Sequence, residues 1–538
     1  MMYLKLTPQK TATFGMFMGF LAIALILSMG VTGTLPDEYL RIKGLTALSQ
    51  MPLKSIKYGL QYTSENGSSG TLAAVGNLFS SAKMNVNVGT STPARDVPVL
   101  LYHGIVEKPD RFSTTPEIFA DQMFALKRAG YHTITLDDFE QFIAGKKKLD
   151  DKSFLLTFDD ARIDAYWGAD PILQALGFTA VMYVATNDSI NVPRPLPSYY
   201  IHEELLGRMV RSGRWELGSH AIQEHTGFIP VDAEGKTANF LSNKMWLADK
   251  GRLENDEEYK ERVTKELVES KKVLESSFGI PIRTFAYPFG DYGQQTSNNP
   301  GAQKIIEEVI RNTYALAFNQ VWPTDTLFSS NFPGTDRIHL RRIESGTSWS
   351  GENLVAILET ARSKNMTFDD DFSKNLGWKH NWGKAGMEDG QLKVVAGEKT
   401  TGSLVFLDGT HEWDDYFFTV DAVQERGKYT SLVARFIGSE DYVSCWFSDS
   451  EAKIVEKVNG QTHTLIKVKH PLRMIGDTEQ LGMSVEGTMV RCFDGEEAVV
   501  TTDELSPRLS KGGIGIGVWD AVENNAAVNI NSLHVVPL

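Results

Sequence analysis

The sequence predicts an α/β barrel followed by an all-β jelly-roll sandwich, with one transmembrane helix ahead of both. Three observations carry this reading. Residues 97–350 alternate short apolar runs with stretches of helical periodicity, the order of successive β/α units. After about Met366 that periodicity gives way to short runs separated by Gly, Asp and Asn turns, the spacing of a sandwich over 366–538. Phe14 to Val31 is an uncharged apolar run close to the length of a bilayer span.

The chain has 538 residues, enough for about three units at ~150 residues each. Hydrophobic and charged fractions of 42% and 23% are those of a globular protein. A net charge of −14, with no basic stretch interleaved with aromatics, argues against nucleic acid as a partner. The only cysteines, Cys445 and Cys492, exclude a disulfide scaffold or a cysteine-rich zinc module. They either pair in an oxidising compartment or remain two buried thiols.

At the N-terminus, Lys5 and Lys10 precede the apolar run and Asp37 and Glu38 follow it. This places residues 1–13 in the cytoplasm and makes 14–33 a membrane anchor. A cleaved signal peptide would have a shorter apolar core and an A-x-A-like site, and Met29-Gly30-Val31-Thr32-Gly33 is a poor one. Either way the remainder is exported, and the expected location is the inner (cytoplasmic) membrane, crossed once. Residues 34–96, with Gly, Ser and Asn concentrated at 64–70, read as a spacer carrying a few short helices.

Val97 to Tyr102 reads as a strand, and Thr115-Pro116-Glu117 opens a helix with Thr as N-cap and Pro at the first position. Phe119, Met123 and Leu126 recur at helical spacing until Gly130. Thr133 to Leu136 is the next expected strand, then Ser153 to Phe158, which leads into Asp159 and Asp160. Gly168 to Leu176 and Asp256 to Phe278 read as helices, the second stopped by Gly279 before Pro281. Further strands are expected at 178–184, 215–217, 284–287, 314–318 and 338–343.

Paired carboxylates at a strand's carboxyl end can hold a cation, act as a general base, or divide the two tasks. They can equally cap a turn. His220 and His225 follow the strand at 215–217, so they sit on the same expected rim; joint ligation at this spacing needs an irregular loop, since a helix would set the side chains ~140° apart. One carboxylate with two imidazoles is a known catalytic zinc set with an open position for water. The run Arg283 to Gly290 ends in Tyr287-Pro288-Phe289-Gly290, a stiff turn able to aim a backbone N–H at an oxyanion.

These three pieces, in this order, resemble the polysaccharide deacetylase family (NodB homology, carbohydrate esterase family 4). The matching motifs are Thr157-Phe158-Asp159-Asp160, the loop from Ser219-His220 to His225, and Arg283 to Gly290. Tyr102-His103-Gly104-Ile105, the Phe119-to-Thr135 segment and the histidine spacing resemble the poly-N-acetylglucosamine deacetylase branch. The resemblance implies Asp159 as general base, Asp160, His220 and His225 as ligands of a divalent metal with zinc preferred, and the Phe289 N–H on the oxyanion. It implies an N-deacetylase of an acetylated exopolysaccharide, working beside polysaccharide synthesis or export proteins.

Two departures stand out. The second Arg of the third motif, which in the family braces the base, is Ala286 here. No clear late Leu-x-His motif supplies a general acid; His339 is the nearest candidate, inside an apparent strand, and slow turnover is the expectation. Alternative readings are a polysaccharide O-acetyl esterase, which would need the acid less, and a non-catalytic polysaccharide-binding membrane protein. The latter would use the sandwich, whose pattern resembles concanavalin and laminin-G jelly rolls. Trp378, Trp382, Trp413, Trp446 and Trp519 are its candidate sugar-stacking residues or, equally, its core.

Overall fold

The computed structural model describes residues 50–65, 93–190, 199–222, 227–321, 330–398, 400–470 and 475–538. The proposed anchor at 14–33 and the ligand candidate His225 lie outside them. Among the described residues no helix is long and apolar enough to cross a membrane. The chain divides into two units, one running to Val321 and taking in Asn331–Val355, the other including Ala356–Leu538.

In the first unit, seven parallel strands close a barrel. In spatial order they are Val97–Tyr102, Ser153–Phe158, Ala180–Val184, Trp215–Ser219, Thr284–Ala286, Leu316–Val321 and Leu340–Glu344, which returns to the first. Leu101 is in register with both Thr157 and Glu344, which closes the ring. The first two strands are buried along their whole length, as strands covered on both faces must be. All seven carboxyl ends meet at one rim, and that rim carries the polar residues.

The helices follow from their caps. Thr115 caps Pro116–Arg128 by accepting from the Ile118 N–H. Asn255 and Glu258 form a reciprocal capping box on Asp256–Phe278, which Gly279 ends in the left-handed conformation at φ 64°. The expected strand at 133–136 is cut short, and its last residue already opens a helix. Only His132–Thr133 pairs, while Thr135 caps Leu136–Ile143, a capping box with Asp138 overriding the β-branched run. Part of the spacer is also ordered against this unit: residues 50–65 are helical, with Tyr58 against Phe124 and Glu65 paired to Arg128.

The second unit is a sandwich of antiparallel sheets, one of eight strands and one of seven. Alternate residues of both inner faces fill its core, including Phe418, Leu432, Val443, Met483, Ile516 and Ile530. Cys445, on one sheet, is disulfide-bonded to Cys492, on the other. Of the two expectations for these cysteines, pairing is the one observed. Trp378 and Trp413 are core residues, at 6% and 3% exposure, with their indole N–H groups donated to Asp370 and to the Lys364 carbonyl. Neither offers a face to a sugar. Trp382, Trp446 and Trp519 are half-buried and pack edge to face on one another.

Candidate active site

The strand Ser153–Phe158 stops one residue before the paired carboxylates. Asp160 and Ala161 then take positive φ, 71° and 51°, which L-residues adopt only under constraint. The turn does what two functional carboxylates require, because neighbouring residues of a regular strand would point to opposite faces. Both instead face the His220 ring, whose Nε2 is 3.9 Å from Asp159 Oδ2 and 3.5 Å from Asp160 Oδ1. Ala221, next to His220, and Phe289 also have positive φ, so the backbone strain of this unit gathers at the rim.

Asp159 is 2% exposed and held by a residue the motifs did not reveal. Arg342, from Leu340–Glu344 and fully buried, donates Nη1 to Asp159 Oδ1 at 2.5 Å and Nη2 to Oδ2 at 2.8 Å. This fork occupies the role that Ala286 leaves vacant. Burial by itself would raise the Asp159 carboxyl, but the Arg342 guanidinium holds it below the ordinary carboxylate range.

His220 Nδ1 lies 2.9 Å from the Ala286 carbonyl oxygen. That acceptor requires the proton on Nδ1, which leaves the Nε2 lone pair aimed toward the two carboxylates. The donor set of Asp160 and His220 therefore suits a divalent cation. His225, the third expected ligand, falls outside the described residues, among which no group of three metal-holding side chains occurs.

His103 follows the first barrel strand just as Asp159 follows the second. Its Nδ1 is 3.3 Å from Glu344 Oε1, and Gln320 donates to the other oxygen of Glu344 at 2.7 Å. Burial works to neutralise the imidazole. The Glu344 carboxylate beside it, with the charges of Asp160 and Asp159, overcomes this and pushes His103 up to about 9. A protonated imidazole thus faces an ionised carboxylate across one cleft of about 420 Å³, also lined by Arg162, Tyr199, Pro288 and Phe289.

His339 is not part of this arrangement. It precedes the strand Leu340–Glu344, so it sits at the rim opposite the carboxyl ends, where its Nε2 meets Glu307 Oε1 at 3.1 Å and its ring packs on Tyr292. The strand expected from Ile338 begins two residues later and runs to Glu344. Signals for the missed residues were present: a charged Arg342 at an inward position of a buried strand, and a histidine ending an apolar one.

Residues 146–303 match the polysaccharide deacetylase family model. The poly-β-1,6-N-acetyl-D-glucosamine N-deacetylase of Escherichia coli (strain K12) is 24% identical over 212 residues, 37% of this chain and 31% of that protein. The matched stretch is thus about a third of that relative's length. Among solved structures, a de-N-acetylase from Aggregatibacter actinomycetemcomitans aligns at 20% identity with a TM-score of 0.41, covering 49% of this chain and 99% of its own. A carbohydrate-binding module from Bacillus subtilis aligns at 17% identity with a TM-score of 0.26, covering 29% and 95%. With Asp159, Asp160, His220 and Phe289 gathered on one rim of a seven-stranded barrel and residues 146–303 matching the family model, the chain carries a polysaccharide deacetylase domain.

Proposed function

We propose that the chain removes acetyl groups from N-acetylhexosamine units of an exopolysaccharide, with β-1,6-linked N-acetylglucosamine the linkage its relative's name suggests. The observation that carries this is that one cleft brings together a carboxylate braced by a guanidinium, Asp159 on Arg342, and an imidazole beside a carboxylate, His103 on Glu344. Amide hydrolysis needs that pair: a base for water and an acid for the amine.

Asp160, His220 and, by the family resemblance, His225 would hold a divalent cation, zinc by preference, which when bound polarises the acetyl carbonyl and activates water. Asp159 accepts the proton from the attacking water, and Arg342 fixes which oxygen faces it. Phe289 lines the cleft, and its backbone N–H would receive the oxyanion. His103 gives its proton to the departing amine, leaving acetate. The expectation of slow turnover rested on the lack of a clear general acid, and with His103 in that role the premise falls. So does the ground on which an O-acetyl ester is the easier alternative.

The Cys445–Cys492 bond supports the exported location that the charge pattern around residues 14–33 suggests, because such bonds persist in oxidising compartments. The test of the activity is acetate release from defined N-acetylated and O-acetylated oligosaccharides, with and without chelator. Release from N-acetylated substrates that chelation abolishes and Asp159→Asn lowers by about 10³-fold or more supports the reading. Release confined to O-acetylated substrates would replace it.

A further inference from the structure

The sandwich has a lined cavity of its own. Tyr416–Arg426, Thr478–Glu486 and Met489–Asp494 are neighbouring strands of the eight-stranded sheet. Phe418, Met483 and Cys492 point into the core, so Phe417, Ser484 and Phe493, one residue further along on each strand, face outward. Register sets Phe417 opposite Ser484, Ser484 opposite Arg491, and Gly482 opposite Phe493. Between these side chains and the turn at Gly495 and Glu496 lies a cavity of about 400 Å³, a size usual for small-ligand sites.

The cavity is held open by fixed parts. The half-buried rings of Phe417 and Phe493 meet edge to face, with centroids 5.1 Å apart. They meet beside Gly482, where a Cβ would come within 3.1 Å of both residues, so the missing side chain is what lets them close. The turn is tied down by the Gly495 N–H, which donates to the Gln480 carbonyl at 2.8 Å. Ser484 also lines the cavity. It is 3% exposed, and its Oγ has no hydrogen-bond partner among the described residues. A buried hydroxyl left unpaired is destabilising, and a ligand with a hydrogen-bonding group would pair it.

The lining selects the ligand. Its side chains include one cation, Arg491, and one carboxylate, Glu496, a balance that suits a neutral group better than a phosphate or an amine. Aromatic carbon beside a single buried hydroxyl fits a small group with a methyl at one end and an amide at the other. An acetamido group has both. The amine left after deacetylation has lost the methyl and would set an ammonium against aromatic carbon near the Arg491 guanidinium. The tryptophans of the other sheet offer no comparable space. The cavity beside Trp382, Trp446 and Trp519 is about 20 Å³, and Lys453 Nζ lies 4.7 Å from the Trp446 ring centre.

We infer that this cavity binds a sugar unit through its acetamido group, the methyl against Phe417 and Phe493 and the amide on Ser484, and so retains the protein on polymer that is still acetylated. The inference rests on the deacetylase reading for the identity of the sugar alone. It is tested with a β-1,6-linked N-acetylglucosamine hexamer whose acyl groups carry a photoreactive diazirine. The hexamer is irradiated with the full chain bearing Asp159→Asn, which preserves the acyl groups, and the labelled peptides are mapped. Label should appear in peptides spanning 478–496. The plain N-acetylglucosamine hexamer should displace it at about a tenth of the concentration that the glucosamine hexamer needs. Ser484→Ala should lower this label about fivefold and Phe493→Ala about tenfold, with label at the barrel cleft unchanged. Because Ser484→Ala removes an unpaired hydroxyl, it should melt no lower than its parent. Absence of label from these peptides, equal displacement by the two hexamers, label unmoved in both variants, or a lower melting temperature in Ser484→Ala overturns the inference. Acetate release by the unsubstituted chain is measured alongside. Release without this label sinks the inference and spares the deacetylase reading, whereas label without release does the reverse.

Discussion

The central residue is Asp159, and what it can do is set by Arg342. Replacing Arg342 with Met removes the charge that keeps this carboxyl ionised, so the acidic limb of the kcat/KM profile should move to higher pH and its plateau fall by about 10²-fold. Arg342→Lys keeps the charge but not the two-pronged geometry, and should restore the limb more fully than the plateau. An unmoved acidic limb in the Met variant would remove Arg342 from this role. His103 works in the opposite direction. Its pKa is raised, so the protonated form is present at neutral pH and disappears as pH rises through about 9. Activity should fall on that side, at or somewhat below 9 once a cation offsets the Asp160 charge. In His103→Gln that basic limb should vanish, with a loss of about 10²–10⁴-fold. Asp159 and Asp160 were legible because their motif is contiguous. Arg342 and His103 reach the same cleft from the seventh and first strands, a closeness that barrel closure creates and local spacing does not encode.

At the scale of elements, apolar runs and caps located the seven barrel strands and the helices Pro116–Arg128 and Asp256–Phe278 within a few residues, but not the helices Glu203–Arg211, Ala302–Thr313 and Gly351–Ala361. Thr133 to Leu136 shows a further limit: two threonines and an isoleucine favour a strand, yet Thr135 and Asp138 satisfy the backbone donors of a helix start and Leu136 turns inward. That helix start also has a partner no local pattern suggests, because Leu136 N–H donates to Glu216 Oε2 at 2.9 Å. Burial, reinforced by Asp138 and Asp137, pushes Glu216 up to about 7 despite that hydrogen bond. The folded state therefore holds its proton more tightly than the unfolded chain. Stability from this group is full below the unfolded value and is lost as pH rises to about 7, by roughly 3 kcal/mol. Glu216→Gln keeps an acceptor for Leu136 and carries no charge. Its melting temperature should exceed that of the parent above pH 7 and converge with it near pH 4, and parallel curves for the two proteins would contradict this account.

For the whole molecule, the division into a barrel and a sandwich was legible because the periodicity changes abruptly after Met366, whereas the fate of the two cysteines was not. Forty-seven residues separate Cys445 from Cys492, and only the register of two facing sheets brings them together. A cross-link closing a loop of that length should stabilise its unit by roughly 4 kcal/mol, chiefly by restricting the unfolded chain. The sandwich core contains no residue of the barrel, so the effect should stay local. In calorimetry of the Cys445→Ala/Cys492→Ala double variant, the transition assigned to the sandwich should move down by several degrees, whereas the barrel's transition and acetate release from short oligomers should not. Intact protein treated with reductant should reproduce the shift, and reductant should leave the variant where it is. A barrel transition that fell in step with the sandwich would mean that the two cores unfold as one, and that the disulfide guards the active site as well as the domain that contains it.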